Sequence, residues 1–196
     1  MKSDIILAGV GGQGILSIAT VIGVAALEDN LYLKQAEVHG MSQRGGDVQS
    51  NLRLSSEPIA SDLIPLGQAD LIVSMEPMEG LRYLPYLKKE GWLVTNTVPF
   101  VNIKNYPSSE ALAEEMKKVD NLIAFDMDAV AKEVGSPRSS NMVLLGAISP
   151  LISIEEPHLI NGIRKIFSSK GDAITEMNIA AFAKGRDYTV EFLKNR

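Results

Sequence analysis

Asp4-Ile5-Ile6-Leu7-Ala8-Gly9-Val10-Gly11-Gly12-Gln13-Gly14-Ile15-Leu16 is the stretch that decides the fold. An apolar run, a turn carrying four glycines and a second apolar run predict a strand over residues 4–8, a tight turn, and a helix over 14–27. That helix is apolar on every face, at Ile15, Leu16, Ile18, Val21, Ile22 and Val24, so it belongs inside a core. Residues 5–27 hold 23 positions without a charge, long enough to suggest a membrane span or a leader. The glycines and Gln13 interrupt the run, however, and Asp4 stands where a leader wants positive charge. A buried strand, turn and helix account for it better.

The turn satisfies the G-x-G-x-x-G spacing in the strand-to-helix context that spacing requires. Glycines permit close approach of a phosphate, and the N–H groups at a helix start favour an anion. Gly9, Gly11, Gly12, Gln13 and Gly14 are therefore candidate cofactor-binding residues. Glu37, 23 residues past Gly14, is the candidate for the acidic group that holds a ribose in such sites. The alternative is that the glycines only let the first helix pack tightly on the sheet, and the residues alone leave both open.

Further along, strands are expected at 31–38, 47–54, 69–75, 92–97 and 121–125. Val48, Leu52 and Leu54 at even spacing predict that the second of these has one face towards solvent. Helices are expected at 78–87, closed by Gly91, from Ser108 or Ser109 to Lys118, and from Asp126 or Asp128 to Gly135. Three more follow, at 141–151, from Glu155-Glu156-Pro157, and from Asp172 to the end. Strands alternating with helices predict an α/β, Rossmann-like, doubly wound and mainly parallel sheet with C-terminal helices. No linker, repeat or low-complexity stretch divides the chain, so residues 1–196 are expected to form one domain.

Composition removes several functions. The 196 residues contain 45% hydrophobic and 22% charged residues, as an ordinary globular protein does. With 19 basic against 24 acidic residues the net charge is −5, which argues against a nucleic-acid or membrane-surface binder. There is no cysteine, hence no disulfide, thiolate zinc site, cysteine-held iron–sulfur cluster or cysteine nucleophile. Only His39 and His158 could supply imidazole, so no metal site is expected, and a cytoplasmic location fits.

The loop His39-Gly40-Met41-Ser42-Gln43-Arg44-Gly45-Gly46 follows a strand, at the carboxyl edge where ligands bind in such sheets. His39, Ser42, Gln43, Arg44, Gly45 and Gly46 are candidates for an active-site or interface loop, with Arg44 suited to clamp a carboxylate or phosphate. Glu76 and Asn96 follow strands and join them on that edge, although a helix start and a strand end explain both equally. His158, beside Pro157, reads as structural. No set of residues identifies a catalytic group.

In this order, Gly9-Val10-Gly11-Gly12-Gln13-Gly14, Glu37 to Gly46, Glu76-Pro77 and Asn96-Thr97 resemble the gamma-type domain of 2-oxoacid:ferredoxin oxidoreductases, the indolepyruvate branch being nearest. The resemblance covers residues 4–190 and implies the fold of domain III of pyruvate:ferredoxin oxidoreductase. It further implies a small subunit supporting oxidative decarboxylation of aryl pyruvates, with coenzyme A as substrate and ferredoxin as electron acceptor. The family's reaction uses thiamine diphosphate, magnesium and iron–sulfur clusters. This chain has neither cysteine nor a Gly-Asp-Gly followed by Asn-Asn, so all three are expected on a larger, alpha, partner subunit. The isolated chain is then expected to be colourless and inactive, with surfaces on which a homodimer is possible. Two other readings stay open: an independent NAD(P)-dependent oxidoreductase and a nucleotide-binding regulatory module. No Tyr-x-x-x-Lys pair supports the former.

Overall fold

The structure is a computed structural model, and it describes residues 1–39 and 45–196. In chain order the elements are β1 (Lys2–Val10), α1 (Ile15–Glu28), β2 (Tyr32–His39), β3 (Asp47–Ser55), β4 (Ala69–Ser74) and α2 (Pro77–Arg82). There follow β5 (Leu87–Asn96), α3 (Ser109–Met116), β6 (Leu122–Phe125), α4 (Met127–Glu133), α5 (Ser140–Ile148), α6 (Glu156–Phe167) and α7 (Asp172–Lys194). The strands form one sheet in the order β2-β3-β1-β4-β5-β6. β1, β4, β5 and β6 pair in parallel, while β3 runs antiparallel between β1 and β2.

The alternation of side chains along a strand explains why β1 is apolar at nearly every position. Ile5 and Leu7 face α1, α5 and α6, whereas Ile6 and Ala8 face the layer formed by Ile64, Tyr83 and neighbouring residues. Each fully buried Ile or Leu of this kind contributes about 1.5–3 kcal/mol. α5 is buried at every residue and crosses α7 closely. A Cβ on Gly146 would lie 1.9 Å from the Phe182 carbonyl oxygen, and one on Gly185 equally near that of Val143. Among the described residues no helix is long and apolar enough to cross a membrane.

The mainly parallel α/β sheet is as the sequence predicts, and three details differ. β3 does not turn a face to solvent. Its polar face, Asn51 and Arg53, lies under residues 56–68, where Arg53 donates to the carbonyls of Ser61 (3.0 Å) and Leu63 (2.9 Å) and Asn51 accepts from the Ile64 N–H (3.2 Å). Gly91 closes no helix. α2 ends at Arg82, because a 3-10 turn over Leu84–Tyr86 containing Pro85 intervenes, and β5 already starts at Leu87. Gly91 sits within β5, where the register against β4 shifts. The remaining ambiguities resolve simply: Ser108 caps α3 and Asp126 caps α4, accepting from the N–H groups of Ala111 (3.2 Å) and Ala129 (2.8 Å).

Candidate functional site

The glycine turn leaves β1 at the carboxyl edge and is braced from within. The Val10 N–H donates to Gln13 Oε1 (2.7 Å), and Gln13 Nε2 reaches the Met75 carbonyl (3.4 Å) at the end of β4. Gly11 donates to the Gly46 carbonyl (2.8 Å) and accepts from the Gly45 N–H (3.3 Å), so turn and neighbouring loop are laced together. Gly14 caps α1 at φ 79°, in the left-handed region glycine tolerates. Asn141 Nδ2 donates to its carbonyl (3.1 Å), and a Cβ on Gly14 would lie 2.6 Å from that same nitrogen. Gly9, Gly11, Gly12, Gln13 and Gly14 thus form one unit with Gly45, Gly46 and the start of α5.

Glu37 does not join them. It is exposed on β2, opposite Ser50, and β3 separates it from β1. In a dinucleotide site the strand carrying the acidic group lies beside the glycine strand. The β2–β3 hairpin removes that adjacency here. Ser42, Gln43 and Arg44 lie outside the described residues, as does the side chain of His39.

Glu76 is fully buried and holds two segments together. As cap of α2 it accepts from the Glu79 N–H at Oε2 (2.8 Å), while Oε1 accepts from the Phe100 N–H (3.2 Å) and from the Tyr106 hydroxyl. Burial, then the Glu76 carboxylate, push the Tyr106 phenol well up. Asn96 is likewise committed. Its Oδ1 accepts from Met127 (3.1 Å) and Val98 (3.3 Å), and its Nδ2 donates to Asp128 (3.2 Å), which also accepts from the Ser140 hydroxyl. Beside Glu76, Arg82 pairs with buried Glu79 (2.8 Å), and the Tyr83 hydroxyl donates to Asp47 (2.9 Å). Burial raises Glu79, helped by the charge of Asp47 and opposed by Arg82. The Glu76 and Asn96 side chains both tie backbone segments together at this edge.

A cavity of about 470 Å³ opens beside the turn, lined among others by Ser17, Arg138, Ser139, Asn141, Lys170 and Asn178. Among the described residues no Asp or Glu lines it. Ser139 donates to Asn178 Oδ1 (3.0 Å), fixing the far wall, and Asn141 connects the cavity to Gly14. Two cations, the first turn of α1 and the start of α5 therefore converge on one hollow, an arrangement that favours a multiply charged anion. Arg138, Asn141, Lys170 and Tyr106 were not among the sequence candidates. The polar run Gly135-Ser136-Pro137-Arg138-Ser139-Ser140-Asn141 between two apolar helices was the available signal. His158 is structural as expected, its Nδ1 2.5 Å from Asp29 Oδ1. Among the described residues no group of three or more His, Asp or Glu is arranged to hold a metal.

A family model described as pyruvate ferredoxin/flavodoxin oxidoreductase matches residues 4–188. Indolepyruvate oxidoreductase subunit IorB of Pyrococcus horikoshii is 36% identical, over 97% of this chain and 97% of its own. The 2-oxoglutarate:ferredoxin oxidoreductase from Magnetococcus marinus, solved with 2-oxoglutarate, coenzyme A and succinyl-CoA bound, superposes with a TM-score of 0.76 at 25% identity. That match covers 97% of this chain but only 31% of the neighbour. The gamma subunit of a keto/oxoacid ferredoxin oxidoreductase from Geobacter sulfurreducens matches the fold at a TM-score of 0.75 and 22% identity, over 97% of this chain and 98% of its own.

Proposed function

The chain belongs to the pyruvate ferredoxin/flavodoxin oxidoreductase family, and we propose that it is the small subunit of an indolepyruvate:ferredoxin oxidoreductase, in which it holds coenzyme A. The reaction joins an aryl pyruvate and coenzyme A into aryl-acetyl-CoA and carbon dioxide. Two electrons pass to ferredoxin through the complex, and one proton is released. The name and full-length match of the Pyrococcus relative support the aryl-pyruvate substrate. The whole chain, residues 1–196, acts as one domain and works in the cytoplasm.

Neither thiamine diphosphate nor an iron–sulfur cluster fits this chain. It has no cysteine to ligate iron, and no Gly-Asp-Gly with a following Asn-Asn to hold the diphosphate through magnesium. Those groups sit on a larger subunit. The small subunit's own task is the acyl acceptor. The acid-free cavity joined to the glycine turn through Asn141 is the observation that carries this reading. Arg138 and Lys170 neutralise the phosphates of coenzyme A, while Gln13 and Asn141 hold the turn in shape beside them. The acyl group that the thiol takes up then comes from the partner.

In the reconstituted complex the double substitution Arg138→Ala, Lys170→Ala should raise the KM for coenzyme A about 10- to 100-fold, one or two charged contacts being lost. The KM for indolepyruvate should stay unchanged. An unaltered KM for coenzyme A would remove this role from the cavity.

A further inference from the structure

Residues 97–107, between β5 and α3, run over the carboxyl edge and expose three apolar side chains together: Phe100 at 43%, Val101 at 69% and Ile103 at 49%. This segment is held in place rather than loose. Glu76 Oε1 accepts from both the Phe100 N–H (3.2 Å) and the Tyr106 hydroxyl, and Asn102 Nδ2 donates to the Gly45 carbonyl (2.8 Å). Pro99 and Pro107 restrict its ends further. A fully buried carboxylate committed to two tethers of an exposed segment is explained if the segment has to present a fixed shape. The apolar side chains so presented are the kind of patch that marks a protein interface.

We infer that residues 97–107 are a clamped ridge on which the larger subunit of the same enzyme docks, Phe100, Val101 and Ile103 entering an apolar depression of that subunit. Two observations select this occupant. The Magnetococcus neighbour carries this fold as 31% of a longer chain, whereas in the Geobacter protein it makes up 98% of a separate one. A fold used both ways needs a surface that binds a much larger body. The ridge also adjoins the glycine turn through Asn102 and Gly45, so a subunit seated on it lies beside the turn at which the proposed ligand binds. Lys104 is the segment's single charge, and it calls for a carboxylate at the depression's rim. The inference rests on the proposed function for the existence of that subunit.

The test is binding of the purified larger subunit to the full chain by calorimetry, using wild type and the triple variant Phe100→Ser, Val101→Ser, Ile103→Ser. The variant should melt at the wild-type temperature and bind about thirtyfold or more weakly. Tyr106→Phe, which removes one tether, should weaken binding less. At saturating larger subunit, the variant's KM for coenzyme A should equal that of wild type. As a control, Leu63→Ser with Leu66→Ser, equally exposed at 57% and 65% on the opposite edge, should leave binding unchanged. Wild-type affinity in the triple variant would overturn the inference. So would a variant that only splits a homodimer of the isolated chain. Failure of the wild-type chain to bind any larger subunit would instead overturn the proposed function.

Discussion

The two ends of this sheet are built on opposite principles. At the amino edge the charges are closed off by partners within the chain. Fully buried Asp4 meets Arg53 (2.7 Å) and Lys2 (2.9 Å), Asp70 pairs with Lys88, and Arg53 also fastens residues 56–68. At the carboxyl edge buried carboxylates and amides hold loops, leaving cations over a hollow and an apolar ridge outside. Ligands in open α/β sheets bind beyond the carboxyl ends of the strands. If the proposed function holds, one edge serves stability and the other recognition, so substitutions at the two should separate folding from function.

The largest effect expected is at the amino edge. Arg53→Met leaves the Asp4 carboxylate without its main partner and should cost about 3–5 kcal/mol of unfolding free energy by denaturant titration. Binding of coenzyme A in the complex should be little altered once the protein is folded. A loss under about 1 kcal/mol would show that Lys2 and water suffice for Asp4. Charge removal in the Arg138/Lys170 cavity should do the converse, lowering affinity without lowering stability.

The pH response sharpens the same comparison with smaller effects. Burial alone would raise Asp4, but the hydrogen bonds and charges of Arg53 and Lys2 outweigh it and hold the group below its ordinary 3.8. Its contribution is therefore present above pH 3.8 and lost as pH falls through the lowered folded value. Glu79 is raised above 4.5, chiefly by burial, so its contribution is present below 4.5 and lost as pH rises through the folded value. Melting temperature against pH should fall less steeply on the acid side in Asp4→Asn, Glu28 and Glu110 keeping part of that limb. In Glu79→Gln the decline on the alkaline side of 4.5 should flatten. The same profile in both variants would contradict the assignment.

Much of the fold is readable because its signals are local. The apolar runs of β1 and β4 mark strands, the glycine turn marks a strand-to-helix junction, and Ile163, Phe167 and their neighbours mark the buried face of α6. Strand order is not local. Nothing in residues 47–55 reveals that they insert between β1 and β2, and that single insertion separates Glu37 from the glycine turn. The polar face of β3 looked solvated because the cover, residues 56–68, has no periodic signature of its own. The site was partly legible for a similar reason. Glycines and buried carboxylates stand out in sequence, whereas Arg138 and Lys170 meet only after α5 and α7 pack, and Tyr106 gains its role only when Glu76 is buried.

The most direct measurement is ferredoxin reduction by indolepyruvate and coenzyme A, with this chain and the larger subunit assayed separately and then mixed. The chain is expected to be colourless and without activity, with coenzyme A-dependent ferredoxin reduction only in the mixture. Turnover of a nicotinamide cofactor by the chain alone, or full activity of the larger subunit without it, would contradict the account.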